Sequence, residues 1–419
     1  MASSEIQRQI KSMGALNGSD HHAALAFEET AAVLDLEPWL VQRFRHPVEE
    51  STAYLQILRD SGETVCVPFH VVHHSEMSGC AVGSLSLAPG LQLRDCQVVA
   101  MERTWQSALV GLPYGGASFG LVCDPAELSE RELIGLARPL ARQLRRQSGE
   151  AVLLPGRGCC REFIGRLFAE TRDSHNVRLS GKPAELAGLD PAHFASEGIA
   201  ALISEALRQA GKPCIGARVA IQGYEALGQA VSQRLAREGM KVVALSDHSG
   251  GIYRPDGLIL EDISTRFARE QMLFGYAEAE RIGRAELMQV SADVLVLTSG
   301  SNQLRESAGD RVAANLVIEA DWNAVNEEAT EGLPNRGVTI VPWFLATCGT
   351  LIAAHWEACN VQILSRPEEL LARAYGIVGR AVEPILRYAV ENDCTCEQAA
   401  YRIAIELAAN YQRSCGSET

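Results

Sequence analysis

The stretch Val219-Ala220-Ile221-Gln222-Gly223-Tyr224-Glu225-Ala226-Leu227-Gly228, followed by the apolar run Lys241 to Ser246 (KVVALS), decides the fold class. It places a strand (Arg218 to Gln222), a glycine turn, a helix (Leu227 to Glu238) and a second strand in that order. Strands that read as unbroken apolar runs are buried on both faces, and helices must then cover both sides of the sheet. Working outward, Ser196 to Ala210 reads as a helix, and Asp293 to Thr298, Asn315 to Glu319 and Gly337 to Pro342 read as further strands. The expected architecture is α/β, with a doubly wound parallel sheet, Rossmann-like, over residues 191–348.

Before that sheet, residues 34–180 mix strand-like and helical segments. Thr64 to His74 (TVCVPFHVVHH) reads as a strand, and Leu128 to Gln147 as an amphipathic helix with an acidic start and an arginine-rich end. After it, Gly349 to Ser414 reads as helices, including Pro367 to Asn392 and Cys396 to Arg413.

The composition narrows the class of function. The 419 residues are 47% hydrophobic and 21% charged, ordinary for a folded protein, and 38 Lys plus Arg against 52 Asp plus Glu give a net charge of −14. Such a chain has no overall positive field for a phosphate backbone, so nucleic acid and anionic membranes are not expected partners. Met1 to Asp20 carries no apolar core of signal-peptide length, and no apolar run approaches the roughly 18 residues of a spanning helix. The 12 cysteines are too dispersed for a disulfide scaffold, which favours a reducing cytoplasm. Cys159-Cys160, Cys394-Thr395-Cys396, His21-His22 and His73-His74 lack chelating spacing, so no metal is expected.

The glycine turn is where cofactor chemistry would show. A dinucleotide turn has the form Gly-x-Gly-x-x-Gly: the middle glycine lets backbone approach a diphosphate, and the helix N-terminus supplies donors. Here Gly223 and Gly228 stand at the outer positions, Glu225 at the middle one, and Asp247 closes the next strand. Glu225 adds bulk and negative charge beside the diphosphate, so the turn reads either as helix–sheet packing or as a working site for NAD(P).

Thr104 to Pro125 (TWQSALVGLPYGGASFGLVCDP), Gly181 to Leu186 (GKPAEL), the strand-turn-helix and Ser246 to Leu258 (SDHSGGIYRPDGL) together resemble the Glu/Leu/Phe/Val dehydrogenase family. The resemblance runs from about Val65 to the C-terminal helices. It implies an N-terminal substrate and oligomerisation domain (residues 1–190) completed by C-terminal helices (residues 349–419), a nucleotide-binding domain, a cleft between them, and oligomers. It also implies interconversion of amino acids, glutamate among them, with their 2-oxo acids using NAD or NADP. Ser196 and Asn302 then fall near nucleotide-contact positions beside Gly223, Gly228 and Asp247.

That reaction needs cations for a substrate carboxylate, a lysine of depressed pKa and a carboxylate for proton transfer. At the positions the resemblance assigns to them stand Val82 and Ser86 for two cations, and Gln106 and Ser118 for two lysines. Gly158 replaces the catalytic aspartate, Thr347-Cys348-Gly349-Thr350 replaces an Asn-Ala-Gly-Gly segment, and Ala354 replaces a substrate-contacting serine. The backbone motifs persist while the chemistry does not. Arg157, Cys159, Cys160 and Cys348 are the candidates for other cleft contacts, with Arg157 suited to an anion and the cysteines read as packing residues before nucleophiles. The leading expectation is an inactive, regulatory or structural subunit (a pseudoenzyme) assembling with an active dehydrogenase paralogue. The alternatives are a divergent NAD(P)-dependent oxidoreductase, a cysteine-based activity, or a stand-alone sensor of a small-molecule effector.

Overall fold

The computed structural model describes residues 19–75, 77, 79–147, 149–172, 174, 176–182, 188–300, 303–304, 312–361 and 366–416. It divides into two compact units: Met1–Pro191 with Thr350–Leu370 and Tyr401–Thr419, and Ala192–Gly349 with Leu371–Ala400.

The first unit is built on a six-stranded sheet: β1 (Glu49–Leu58), β2 (Thr64–His73), β3 (Ala81–Leu87), β4 (Gly115–Leu121), β5 (Ala151–Pro155) and β6 (Val177–Leu179), in the order β1-β2-β4-β3-β5-β6. β1, β2 and β4 pair antiparallel, and β4, β3, β5 and β6 pair parallel. Side chains alternate between the faces of a strand, and the two faces here differ in kind. Ala81, Leu85 and Leu87 of β3 and Ala117, Phe119 and Leu121 of β4 pack with Leu136, Leu140 and Leu144 of the Glu130–Gln147 helix and Phe163 and Leu167 of the Arg161–Thr171 helix. Burying each large side chain stabilises by about 1.5–3 kcal/mol.

The other face is made of small residues. Val82, Ser84 and Ser86 of β3 stand in register with Gly116, Ser118 and Gly120 of β4. The Leu93–Leu109 helix lies against it: a Cβ on Gly116 would stand 1.9 Å from the Ala100 carbonyl oxygen, and one on Gly120 2.6 Å from Cys96 Sγ. Gly116 N donates to Thr104 Oγ1 at 2.9 Å. The next residue, Trp105, is fully buried in an aromatic cluster with Phe27, Phe44 and His74. The Thr104-Trp105 and Gly115-Gly116 motifs therefore serve helix-on-sheet packing.

The second unit holds a seven-stranded sheet: β7 (Arg218–Gln222), β8 (Lys241–Asp247), β9 (Gly250–Tyr253), β10 (Glu280–Ile282), β11 (Val294–Leu297), β12 (Leu316–Glu319) and β13 (Thr339–Val341), ordered β10-β9-β8-β7-β11-β12-β13. β8, β7, β11, β12 and β13 are parallel, as the apolar runs predicted. β9 and β10 are antiparallel additions at one edge. Asp247 pairs with Gly250 across a two-residue turn, far too short for a parallel crossover.

The C-terminal helices Pro367–Glu391 and Cys396–Gly416 are shared between the units, residues 371–400 grouping with the second rather than completing the first. Packing explains this. Arg234 lies 5.1 Å from the Tyr375 ring centroid while pairing with Glu197 and Glu238, and Gln209 donates to the Glu383 carbonyl. In the first unit the Tyr401 hydroxyl donates to Glu102 at 2.8 Å. Among the described residues no helix is long and apolar enough to cross a membrane.

Candidate functional site

In the first unit the structure brings two of the singled-out positions together. Val82 and Ala354, both fully buried, join Tyr114, Val152, Leu154 and Leu351 in one apolar cluster. A lysine at Val82 would have to bury its ammonium among these side chains, at a desolvation cost no neighbour in the cluster offsets. On the same sheet face, Ser118 is buried and hydrogen-bonded to the Cys96 thiol, which burial pushes up to about 12. Ser86 is half-buried at the end of β3, where a Cβ on Gly156 would stand 2.6 Å from its Oγ. Gln106 is fully buried and accepts a hydrogen bond from Arg103, three residues earlier on the same helix. Arg103 is a buried cation that sequence reasoning passed over. Its signal was its place beside the Thr104-Trp105 motif, on the same helix as Gln106.

The segment around Gly158 leaves no room for a side chain. The loop after β5 continues along β3: Gly156 N donates to Leu85 O at 2.8 Å, and Leu87 N to Arg157 O at 2.7 Å. Gly158 takes φ +76°, and a Cβ on it would stand 2.4 Å from Leu87 O and 2.9 Å from Leu87 Cβ. Both the conformation and the space exclude a side chain.

The neighbouring candidates separate. The Cys159 thiol donates to Leu85 O at 3.2 Å and packs on the sheet core, and burial pushes it up to about 12. It is held as a neutral thiol, in keeping with the reading of this cysteine as packing ahead of nucleophilic chemistry. Arg157 and Cys160 are exposed in the first unit. Cys348 belongs to the second unit, fully buried with its thiol donating to Phe344 O. Thr347 donates to Trp343 O at 2.8 Å, and a Cβ on Gly349 would stand 1.9 Å from Phe194 O. Both serve helix packing.

In the second unit the glycine turn is intact as backbone. Gly223 has φ +100°, and a Cβ there would stand 2.5 Å from Thr298 Oγ1; one on Gly228 would stand 1.8 Å from Gly223 O. Thr298 Oγ1 lies 2.9 Å from the carbonyls of both Gln222 and Gly223. Glu225 is exposed and stands at the N-cap of the Ala226–Arg237 helix without capping it through its side chain. A carboxylate is stabilised by the positive end of a helix, the place a diphosphate would occupy. Asp247 is buried with both oxygens engaged: Oδ1 accepts from Ser249 N at 2.7 Å and Ser249 Oγ at 2.5 Å, and Oδ2 from Leu273 N at 2.7 Å. Ser196 is buried and donates to His193 O. Asn302 lies outside the described residues. The side chains do not fit NAD(P): an acidic residue stands at the helix N-terminus that would receive the diphosphate, and Asp247 is consumed in closing the β8–β9 turn.

Residues 189–416 match the model of the Glutamate/Leucine/Phenylalanine/Valine dehydrogenase family, and residues 47–160 match that of its dimerisation domain. Relatives include glutamate dehydrogenase A2 of Halobacterium salinarum, 28% identical over 91% of this chain and 94% of its own length. The glutamate dehydrogenase of Thermotoga maritima is 27% identical over 91% and 94%. Among solved structures, the hetero-hexameric glutamate dehydrogenase of Thermus thermophilus, in its Leu-bound form, superposes with a TM-score of 0.84 at 26% identity, over 93% of this chain and 95% of that one. The chain belongs to the Glu/Leu/Phe/Val dehydrogenase family.

Proposed function

We propose that the chain is a catalytically inactive member of its family, a regulatory or structural subunit that assembles with an active amino-acid dehydrogenase in the cytoplasm. One observation carries this reading: Val82 and Ala354, where the resemblance expects a substrate-binding lysine and serine, form part of a buried apolar cluster. A substrate carboxylate set there would meet methyl groups and an aromatic ring instead of a cation. The geometry at Gly158 supports it independently, because the proton-transferring carboxylate has no place to stand. NAD and NADP are assigned no role, on the grounds of Glu225 and Asp247.

Assembly is supported by the likeness to the Thermus protein, whose structure is described as hetero-hexameric. The cytoplasm is supported by the sequence, whose 12 cysteines in 419 residues lack the density of a disulfide scaffold. The test is co-expression with an active glutamate dehydrogenase paralogue from the same cells. The expected result is a mixed complex whose coenzyme affinity or activity differs from that of the paralogue alone. Two separate homo-oligomers, with the paralogue's kinetics unchanged, would overturn it.

A further inference from the structure

We propose that Cys359 and Cys80 of the first unit are a peroxide-oxidisable pair: Cys359 takes the oxygen with His355 as its base, and Cys80 then closes a disulfide onto it. By itself Cys359 would be an ordinary surface thiol. What makes it a site is the convergence of His355, Tyr114 and a second thiol.

The fold assembles these groups from two places. Cys359 lies one turn beyond His355 at the end of the Cys348–Ala358 helix, its N donating to His355 O at 2.9 Å, so the two side chains share one face. Cys80 and Tyr114 come from the sheet. Ala81 and Gly115 stand in register at the start of β3 and β4, and Gly115 N donates to Cys80 O at 3.0 Å, which sets Cys80 and Tyr114 side by side one residue earlier. Alternation along the strand puts Cys80 on the face of Val82. Both Cys80 and Ala358, the neighbour of Cys359, pack against the cluster that holds Tyr114.

The Tyr114 hydroxyl lies 2.8 Å from His355 Nδ1, and Cys359 Sγ lies 3.9 Å from the same nitrogen. Burial raises the Tyr114 phenol, which therefore keeps its proton, and burial lowers His355, which favours the neutral ring. With two donors facing it, Nδ1 is the acceptor and the ring proton sits on Nε2. A neutral imidazole lone pair beside an exposed thiol can take the thiol proton. Cys80 is half-buried and pushed up to about 11, chiefly by burial, with negative charge on Cys359 adding to the effect. It stays a thiol in the resting chain, which assigns the first attack to Cys359 and the second to Cys80.

The oxidant is hydrogen peroxide or an organic hydroperoxide. His355 takes the Cys359 proton, the thiolate attacks the terminal peroxide oxygen, and the O–O bond breaks as the S–O bond forms. The departing oxygen collects the proton from His355 and leaves as water or an alcohol, the peroxide having gained the two electrons that sulfur lost. Cys80 sulfur then attacks the sulfenic sulfur: S–S forms, S–O breaks, and hydroxide leaves as water with the Cys80 proton. In a reducing compartment such a bond is transient and thiols reset it. No coenzyme or amino acid takes part, so the pair is tested apart from the question of dehydrogenase activity.

The experiment treats the whole reduced chain with a small excess of hydrogen peroxide, with and without dimedone, and maps the products by peptide mass spectrometry. Cys359 should be consumed about tenfold or more faster than Cys66 and Cys160, two other exposed cysteines, and end in an intramolecular Cys80–Cys359 disulfide that dithiothreitol reverses. Cys80→Ser should stop at the Cys359 sulfenic acid, trapped by dimedone. His355→Gln should slow consumption of Cys359 about tenfold or more at neutral pH and far less in a buffer alkaline enough to ionise a free thiol, at about pH 9.5. Circular dichroism confirms the fold of each variant. The assignment is overturned by Cys359 reacting no faster than Cys66 and Cys160, by a parent chain that stops at the sulfenic acid or cross-links elsewhere, or by a His355→Gln rate that is unchanged at neutral pH or slowed equally at both pH values.

Discussion

At Val82 and Ala354 in the first unit, positions expected to hold substrate have become part of the packing; at Glu225 in the second, one exposed side chain sits on a turn whose backbone is otherwise kept. The difference teaches how deeply each position is built into the packing. In the first unit the sheet face is packed with apolar side chains, and the loop at Gly158 holds a conformation only glycine accepts readily. Restoring the family's residues there works against the fold. In the second, Gly223 and Gly228 are fixed by contacts with the Thr298 hydroxyl and with one another, so the cradle persists whether or not anything is bound.

That contrast can be broken by experiment. Val82→Lys should have the largest effect, because an unpaired ammonium in the apolar cluster costs roughly 3–5 kcal/mol, read as a lower urea midpoint. A variant as stable as the parent would show that the cluster opens to solvent.

The packing of the first unit should also be sensitive to acid. His74 is buried, its Nε2 facing the Phe44 carbonyl and its Nδ1 the Thr104 hydroxyl, both at 2.8 Å, an arrangement that suits the neutral ring. Burial lowers it to about 4 from an ordinary 6.5. The unfolded chain therefore binds the proton first, so stability is full above about pH 6.5 and falls as the pH drops towards 4, by up to ~3 kcal/mol for this group. His74→Gln should flatten that slope in urea titrations at successive pH values; an unchanged slope would place the acid sensitivity elsewhere.

Gly158→Asp should cost about 2 kcal/mol through its left-handed backbone and the contact with Leu87, and should create no activity. A stable, active variant would show that only a side chain had been lost. Glu225→Gly has the smallest effect on stability, within about 0.5 kcal/mol at a position where glycine caps a helix well. It should tighten NADH binding at least tenfold, seen in coenzyme fluorescence, by removing the anion at the helix N-terminus. Unchanged binding would mean that the second unit is as deeply altered as the first.

Much of this was legible in the sequence, unevenly so. β7, the following helix and β8 were read to within a residue, because both strands are continuous apolar runs divided by a glycine turn. β1 was missed: it is an edge strand, half-exposed, and its EESTAYLQIL lacks a strong apolar alternation. β6 is three residues long, too short for any periodic signal. In the site, motif comparison located Val82, Ser118 and Gly158, but not what surrounds them. That Val82 touches the same cluster as Ala354 is a tertiary fact, as are the φ of Gly158 and the engagement of both Asp247 oxygens.

The most direct test of the central claim is coenzyme-linked turnover by the purified chain alone, assayed in both directions with NAD(H) and NADP(H), ammonia, glutamate, branched and aromatic amino acids and their 2-oxo acids. The account predicts no rate above the protein-free control with any of them. Steady turnover that scales with protein concentration and survives repeated purification would contradict it.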